Sequence, residues 1–229
     1  MIDTTLAEAL TKILFVIVII TAAYIISTRN LLSLVSVYAI QSLTLVLLAL
    51  VLALYTPNGA SILIAIAAIT FASKVLIIPY FIATIQEKVR IRRDIEFHFL
   101  SPTTSLIISM ALMLVIYLAL SKILPVTQGR LIFFGAVLGI SLMLMGMMVT
   151  FSRKRAITKV LGYLTMENGV LLFGMFVTEL PFIIEFLIII DLIIVVLLTT
   201  ILTVGIDSTL EDYHKRLHRF HLWEEEETP

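Results

Sequence analysis

The sequence contains no cysteine. It therefore holds no disulfide and cannot bind an iron–sulfur cluster through thiolates of its own. Histidine is scarce: His98, His214, His218 and His221 are the full set, and all four lie outside the long apolar runs. That argues against an intramembrane haem, which draws on axial His, Met or Cys. Charged residues make up only 14% of the 229, and sixteen acidic residues balance sixteen basic ones, so net charge points to no class of partner. No glycine-rich phosphate loop, Ser/His/Asp set or nucleotide signature is present. Little sequence lies outside the apolar runs, so a soluble catalytic domain has no room. The N-terminus has Asp3 and Glu8 rather than a basic stretch, and a cleaved signal peptide is not expected. Nucleic acid is not an expected partner.

What the chain has in abundance is apolar length. Hydrophobic residues are 60% of it. They fall in continuous runs near 20 residues, the length an α-helix needs to cross a bilayer, and they do not alternate as barrel strands would. The expected fold is an all-α integral membrane protein with about seven spans, near 9–27, 31–55, 60–86, 104–124, 131–151, 156–178 and 180–206. Pro57-Asn58-Gly59, Ser101-Pro102, Pro125 and Glu179-Leu180-Pro181 punctuate them. With seven spans, Arg29, Lys88, Arg90, Arg92, Arg93, Arg153, Lys154, Arg155, Lys159 and Lys215, Arg216 and Arg219 share one side. Only Lys12, Lys122 and Arg130 share the other. By the positive-inside rule this predicts an outside N-terminus and a cytoplasmic C-terminus.

A few polar groups interrupt the runs. Glu167 and Asn168 sit mid-way along the sixth span, Asp191 about eleven residues into the seventh, Lys74 mid-way along the third and Gln41-Ser42 within the second. A charge at the bilayer centre costs roughly 2.5–3.5 kcal/mol on insertion scales, so it persists where it faces protein or water. Glu167 is read as a proton-relay carboxylate or as a helix-tying acid. Its candidate partners are Asp191, Lys74 and Gln41. Asp191 lies at similar depth on the next helix, where the two carboxylates are expected to share a proton. Lys74 fits a relay or a static ion pair equally. Gln41, Ser42 and Asn168 are suited to bonds across helices. Glu185 lies near the outer end of the seventh span and is read as interfacial. Gly135, Gly139 and Gly146 in the fifth span permit close helix approach.

The chain also repeats. Arg29 precedes Gln41-Ser42 by the same interval as Arg155 precedes Glu167-Asn168. Each polar pair is followed by a turn and a span with one ionisable group, Lys74 or Asp191. The organisation read from this is a three-helix repeat over 1–86, a loop and connector helix over 87–130, a second three-helix repeat over 131–206 and a tail over 207–229. Three helices plus one connector make the repeats parallel. In the tail, Ser208 and Glu211 have capping-box spacing, and Leu210, Tyr213, Leu217 and Phe220 form an apolar stripe. It suits docking on a soluble partner or on lipid. His214 and His218 are spaced for a metal, but a solvated basic face is the better reading.

Tyr163-Leu164-Thr165-Met166-Glu167-Asn168-Gly169 resembles the component E family of hydrogenase-4 type membrane complexes. The likeness extends to Gln41-Ser42-Leu43, to Ser73-Lys74-Val75-Leu76-Ile77-Ile78-Pro79 and to Asp191. Each half, the second above all, is similar to the three-helix K subunit of respiratory complex I, with Glu167 and Asp191 at its two acidic positions. In the first half Gln41 and Lys74 stand in place of acids. The resemblance implies a membrane subunit of a formate hydrogenlyase or related membrane-bound NiFe hydrogenase, in a cell inner or plasma membrane. It implies a lateral proton or ion path through Glu167, Asp191, Lys74, Gln41 and Asn168, and no redox cofactor in this chain. The NiFe centre and iron–sulfur clusters are expected in soluble partner subunits. Antiporter-like membrane subunits and a quinone-site-like membrane anchor are the expected membrane partners.

Overall fold

The computed structural model of the chain describes residues 4–28, 30–55, 59–89, 101–123, 129–153 and 156–177, and positions 189–191, 193, 194, 196, 197 and 200. Arg29, Glu185, most of the connecting turns and the tail after 206 lie outside the described residues. No β-strand occurs among the described residues. Helices α1 (Thr4–Ser27) and α2 (Leu31–Tyr55) form the first two spans. The third combines α3 (Ala60–Thr70), a π-helical segment (Phe71–Ile77) and α4 (Ile78–Val89). Then come α5 (Pro102–Ile123), α6 (Arg130–Ser152) and α7 (Ala156–Val177). Six helical stretches are long and apolar enough to cross a membrane, and the described positions from 189 to 200 are helical as well. The chain is a multi-pass helical membrane protein, as its apolar runs predict. Large apolar side chains face outward all round, among them Ile20, Leu54, Met110, Leu114 and Phe151. Such a surface suits lipid rather than water.

Helix direction follows from which residues share a core. Leu34, Val35 and Tyr38 of α2 pack with Val160, Leu161 and Leu164 of α7. Further along both helices, Leu45, Leu48 and Ala49 pack with Leu171 and Leu172. Low numbers meet low numbers, so α2 and α7 run parallel. The same holds for α1 and α6, where Leu14 to Ala22 share a core with Leu138 and Leu142, and Ile25 and Ile26 with Val149. The direction of these matched helices is what a parallel repeat requires. Helix α5 runs the opposite way along α6, Leu106 near Val149 and Ile116 near Phe133.

Among the described residues, helix α6 packs most intimately with α7, and glycine makes it possible. A Cβ at Gly139 would lie 2.6 Å from the Phe173 backbone nitrogen, and one at Gly162 would lie 2.6 Å from that of Thr150. Added carbons at Gly146 and Gly169 would collide with the backbones of Met166 and Met143. Small residues thus let two backbones touch, the usual device where lipid removes the hydrophobic drive for helix association. The expectation for Gly139 and Gly146 holds, and the reciprocal pair on α7, Gly162 and Gly169, is an addition to it.

Arg153 ties the end of α6 to the end of α1. Its Nη2 donates to the carbonyls of Ile25 (3.4 Å), Ile26 (3.2 Å) and Thr28 (2.7 Å). Helix α1 has no basic residue in its own last turn, so a cation from the end of α6 satisfies its terminal carbonyls.

Candidate functional site: a buried charged layer

Two apolar layers sandwich a polar one. On α2, Gln41 and Ser42 lie between Tyr38 and Leu45; on α7, Glu167 and Asn168 lie between Leu164 and Leu171; on the third span, Lys74 lies between Ala67 and Ile78. At 1.5 Å per residue, Glu167 is roughly 15–16 Å from either end of α7, the middle of a lipid-length helix. Successive residues turn by about 100°, so while Gly162, Met166 and Gly169 face α6, Glu167 and Asn168 turn to other neighbours.

Lys74 reaches them from the π-helical segment. Pro79 lacks the N–H that an α-helix would send to the carbonyl of Val75, and its ring crowds that carbonyl. The helix widens just before it, and the Ile78 N–H bonds instead to Ser73 O, a five-residue step. Such insertions often coincide with functional positions. The Lys74 side chain is fully buried, and its Nζ lies 2.9 Å from Glu167 Oε1. Nζ also donates to Asn168 Oδ1 at 3.3 Å. Asn168 Nδ2 in turn donates to Gln41 Oε1 (3.3 Å) and to Ser42 Oγ (3.1 Å). Gln41 Nε2 donates to Thr21 Oγ1 at 3.4 Å, and that hydroxyl closes on the Ile17 and Val18 carbonyls of its own helix. One polar chain therefore links four helical spans.

Ser42 and Asn168 are 126 residues apart, the interval that separates Gln41 from Glu167. The two polar pairs that the sequence matched thus meet in space.

Asp191 is 7% exposed; its neighbour Ile190 shares a core with Leu161 and Leu164 of α7, and its carboxyl acts electrostatically on that of Glu167. Apart from the Lys74 ammonium on Glu167 Oε1, none of the carboxyl oxygens of the pair has a donor among the described residues. All five candidate residues, Glu167, Asp191, Lys74, Gln41 and Asn168, are thus brought together. Of the candidate partners of Glu167, Lys74 pairs with it, Asp191 adjoins it, and Gln41 is reached through Asn168. Sequence reasoning missed Thr21 and Tyr38. An alcohol or phenol in an apolar run carries little signal, although Tyr38 stands one turn before Gln41.

Among the described residues no group of three or more His, Asp or Glu is arranged to hold a metal ion. Counted as ionised, Lys74, Glu167 and Asp191 sum to a net charge of −1. A low-dielectric interior strongly disfavours an uncompensated charge, so one further positive charge, a proton or a monovalent cation, completes the group. No protein-family model, curated protein or solved structure matches the chain.

Proposed function

We propose that this chain is a membrane-arm subunit of a complex-I-related, membrane-bound hydrogenase of the formate hydrogenlyase type. In this reading it contributes Lys74, Glu167 and Asp191 to proton or ion translocation driven by electron transfer in partner subunits. It carries no redox centre itself. The NiFe centre and iron–sulfur clusters reside in soluble partners, and antiporter-like subunits and a membrane anchor flank it in the plasma membrane. Its N-terminus is outside and its C-terminus cytoplasmic, as the Lys and Arg distribution favours.

The observation that carries the reading is the buried charged group one positive charge short of neutrality, at mid-depth in lipid-length helices. A group of that kind takes up and releases a single cation without a large change in fold. Gln41, Asn168 and Thr21 extend it as an unbroken line of polar contacts toward α1. The sequence resemblance supplies the assembly.

A second reading, a spacer without transport, is favoured by how firmly Asn168 and Glu167 together hold Lys74. A tagged chain, extracted in mild detergent from its own membranes, tests the assembly. The expected result is recovery with a NiFe large subunit and antiporter-like proteins, and with hydrogen-forming activity. Recovery of the chain alone, still folded, overturns the assembly and leaves a stand-alone ion carrier.

A further inference from the structure

One buried titratable residue has no part in the proposed path. Tyr38 is completely buried, yet its hydroxyl makes no hydrogen bond among the described residues. A buried donor left in that condition is costly, and buried tyrosines ordinarily find a partner. It belongs to the core that Ile78 and Ile82 of α4, Leu161 of α7 and Ile190 form. On α2 it stands three and four residues before Gln41 and Ser42, hence on the same face.

The hydroxyl adjoins Ser42 and lies in the field of both Glu167 and Asp191. Ser42 Oγ is already engaged by Asn168 Nδ2. Of the carboxyl oxygens, the Lys74 ammonium reaches only Glu167 Oε1; the others of Glu167 and Asp191 have no donor among the described residues, while a phenol in the same core has one to give. Thr70, one turn before Lys74, is in the same position. Ser73, Thr44 and Thr165 each donate to the carbonyl four residues back, whereas the buried Thr70 hydroxyl makes no hydrogen bond among the described residues. Unsatisfied buried groups flanking a charged layer are the mark of a polar site that holds an additional small occupant such as water.

We propose that Tyr38 donates a hydrogen bond to the Glu167–Asp191 carboxyl pair, directly or through one water, and so positions the proton that the pair holds. This rests on the reading of the acid pair as the ion-holding group. Tyr38 is a positioning residue: it orders the carboxyls and does not itself carry the ion. The site would then have two donors, Lys74 from the third span and Tyr38 from α2, on a carboxyl pair that α7 and the following helix supply.

Infrared spectroscopy of the full chain in lipid nanodiscs, in H₂O and D₂O, tests this. The protonated-carboxyl C=O stretch is identified as the band lost or moved in Glu167→Gln and Asp191→Asn. Tyr38→Phe is expected to shift that band to higher frequency by removing a donor, with wild-type helicity and melting temperature, while Tyr80→Phe, at an exposed position, leaves it in place. An unmoved band in a folded Tyr38→Phe variant overturns the proposal, as does the lack of any protonated-carboxyl band in the wild type. Should Tyr38→Phe not fold, ring-deuterated tyrosine in the otherwise unaltered chain gives a second measurement. Asp191→Asn must then shift the C–O stretch of one tyrosine that is insensitive to added D₂O, and no shift overturns the proposal. These bands report hydrogen bonding in the isolated chain. The Tyr38 assignment can therefore fail while coupling to electron transfer holds, and the reverse.

Discussion

Removing Lys74 leaves two adjoining buried carboxyls with no cation. At 2.9 Å and an effective dielectric near 20, the attraction between Lys74 and Glu167 is about 6 kcal/mol before desolvation is counted. Desolvation of both ions offsets much of that, so the pair adds little net stability against a well-packed apolar replacement. Breaking it on one side is different, because the remaining charge stays buried. Lys74→Met is expected to destabilise the chain by about 3–5 kcal/mol. Lys74→Met combined with Glu167→Gln leaves one carboxyl among neutral neighbours and is expected to regain most of that loss. The two single changes and the double change form a cycle whose coupling energy is well above the additive limit of about 0.5 kcal/mol for independent sites. Reversible unfolding in mixed detergent–SDS micelles measures all four stabilities. A Lys74→Met chain as stable as the wild type, or a double variant whose loss is the sum of the singles, would refute the buried-pair argument.

Two further changes probe the frame that holds the site. Gly146→Leu drives a side chain into the Met166 backbone and is expected to cost at least about 1–3 kcal/mol by forcing α6 from α7, read as a lowered melting temperature in detergent. Arg153→Ala strips the donor from three carbonyls at the end of α1. It is expected to raise amide hydrogen exchange near residues 25–28 and to cost about 1.5–3 kcal/mol, with little effect on exchange around Glu167.

The spans were legible because a bilayer imposes one length on every helix, and runs such as 31–55 carry that length openly. The end of α1 was less so. The helix starts at Thr4 and takes in Glu8 and Lys12, an exposed pair one turn apart, where apolarity alone predicted a start near residue 9. The members of the site were legible too, since Glu167, Asp191 and Lys74 are conspicuous in oil. Their pairing was not. Which of three candidates meets Glu167 depends on helix rotation, and rotation is set by Gly162 and Gly169 against α6 and by the π-helical turn before Pro79. Pro79 signals a disturbance in the helix, but whether it yields a kink or a widened turn depends on packing. Tyr38 was invisible for another reason: tyrosine is common at helix surfaces, and only its complete burial beside two acids distinguishes it.

In the proposed function, the Lys74, Glu167 and Asp191 group carries the transported ion. The direct measurement is the number of ions moved per hydrogen molecule formed by the assembled complex in sealed proteoliposomes, compared between wild type and Glu167→Gln. Normal assembly, continued hydrogen formation and a severalfold fall in ions moved are expected. An unchanged ratio in a fully assembled Glu167→Gln complex would contradict it.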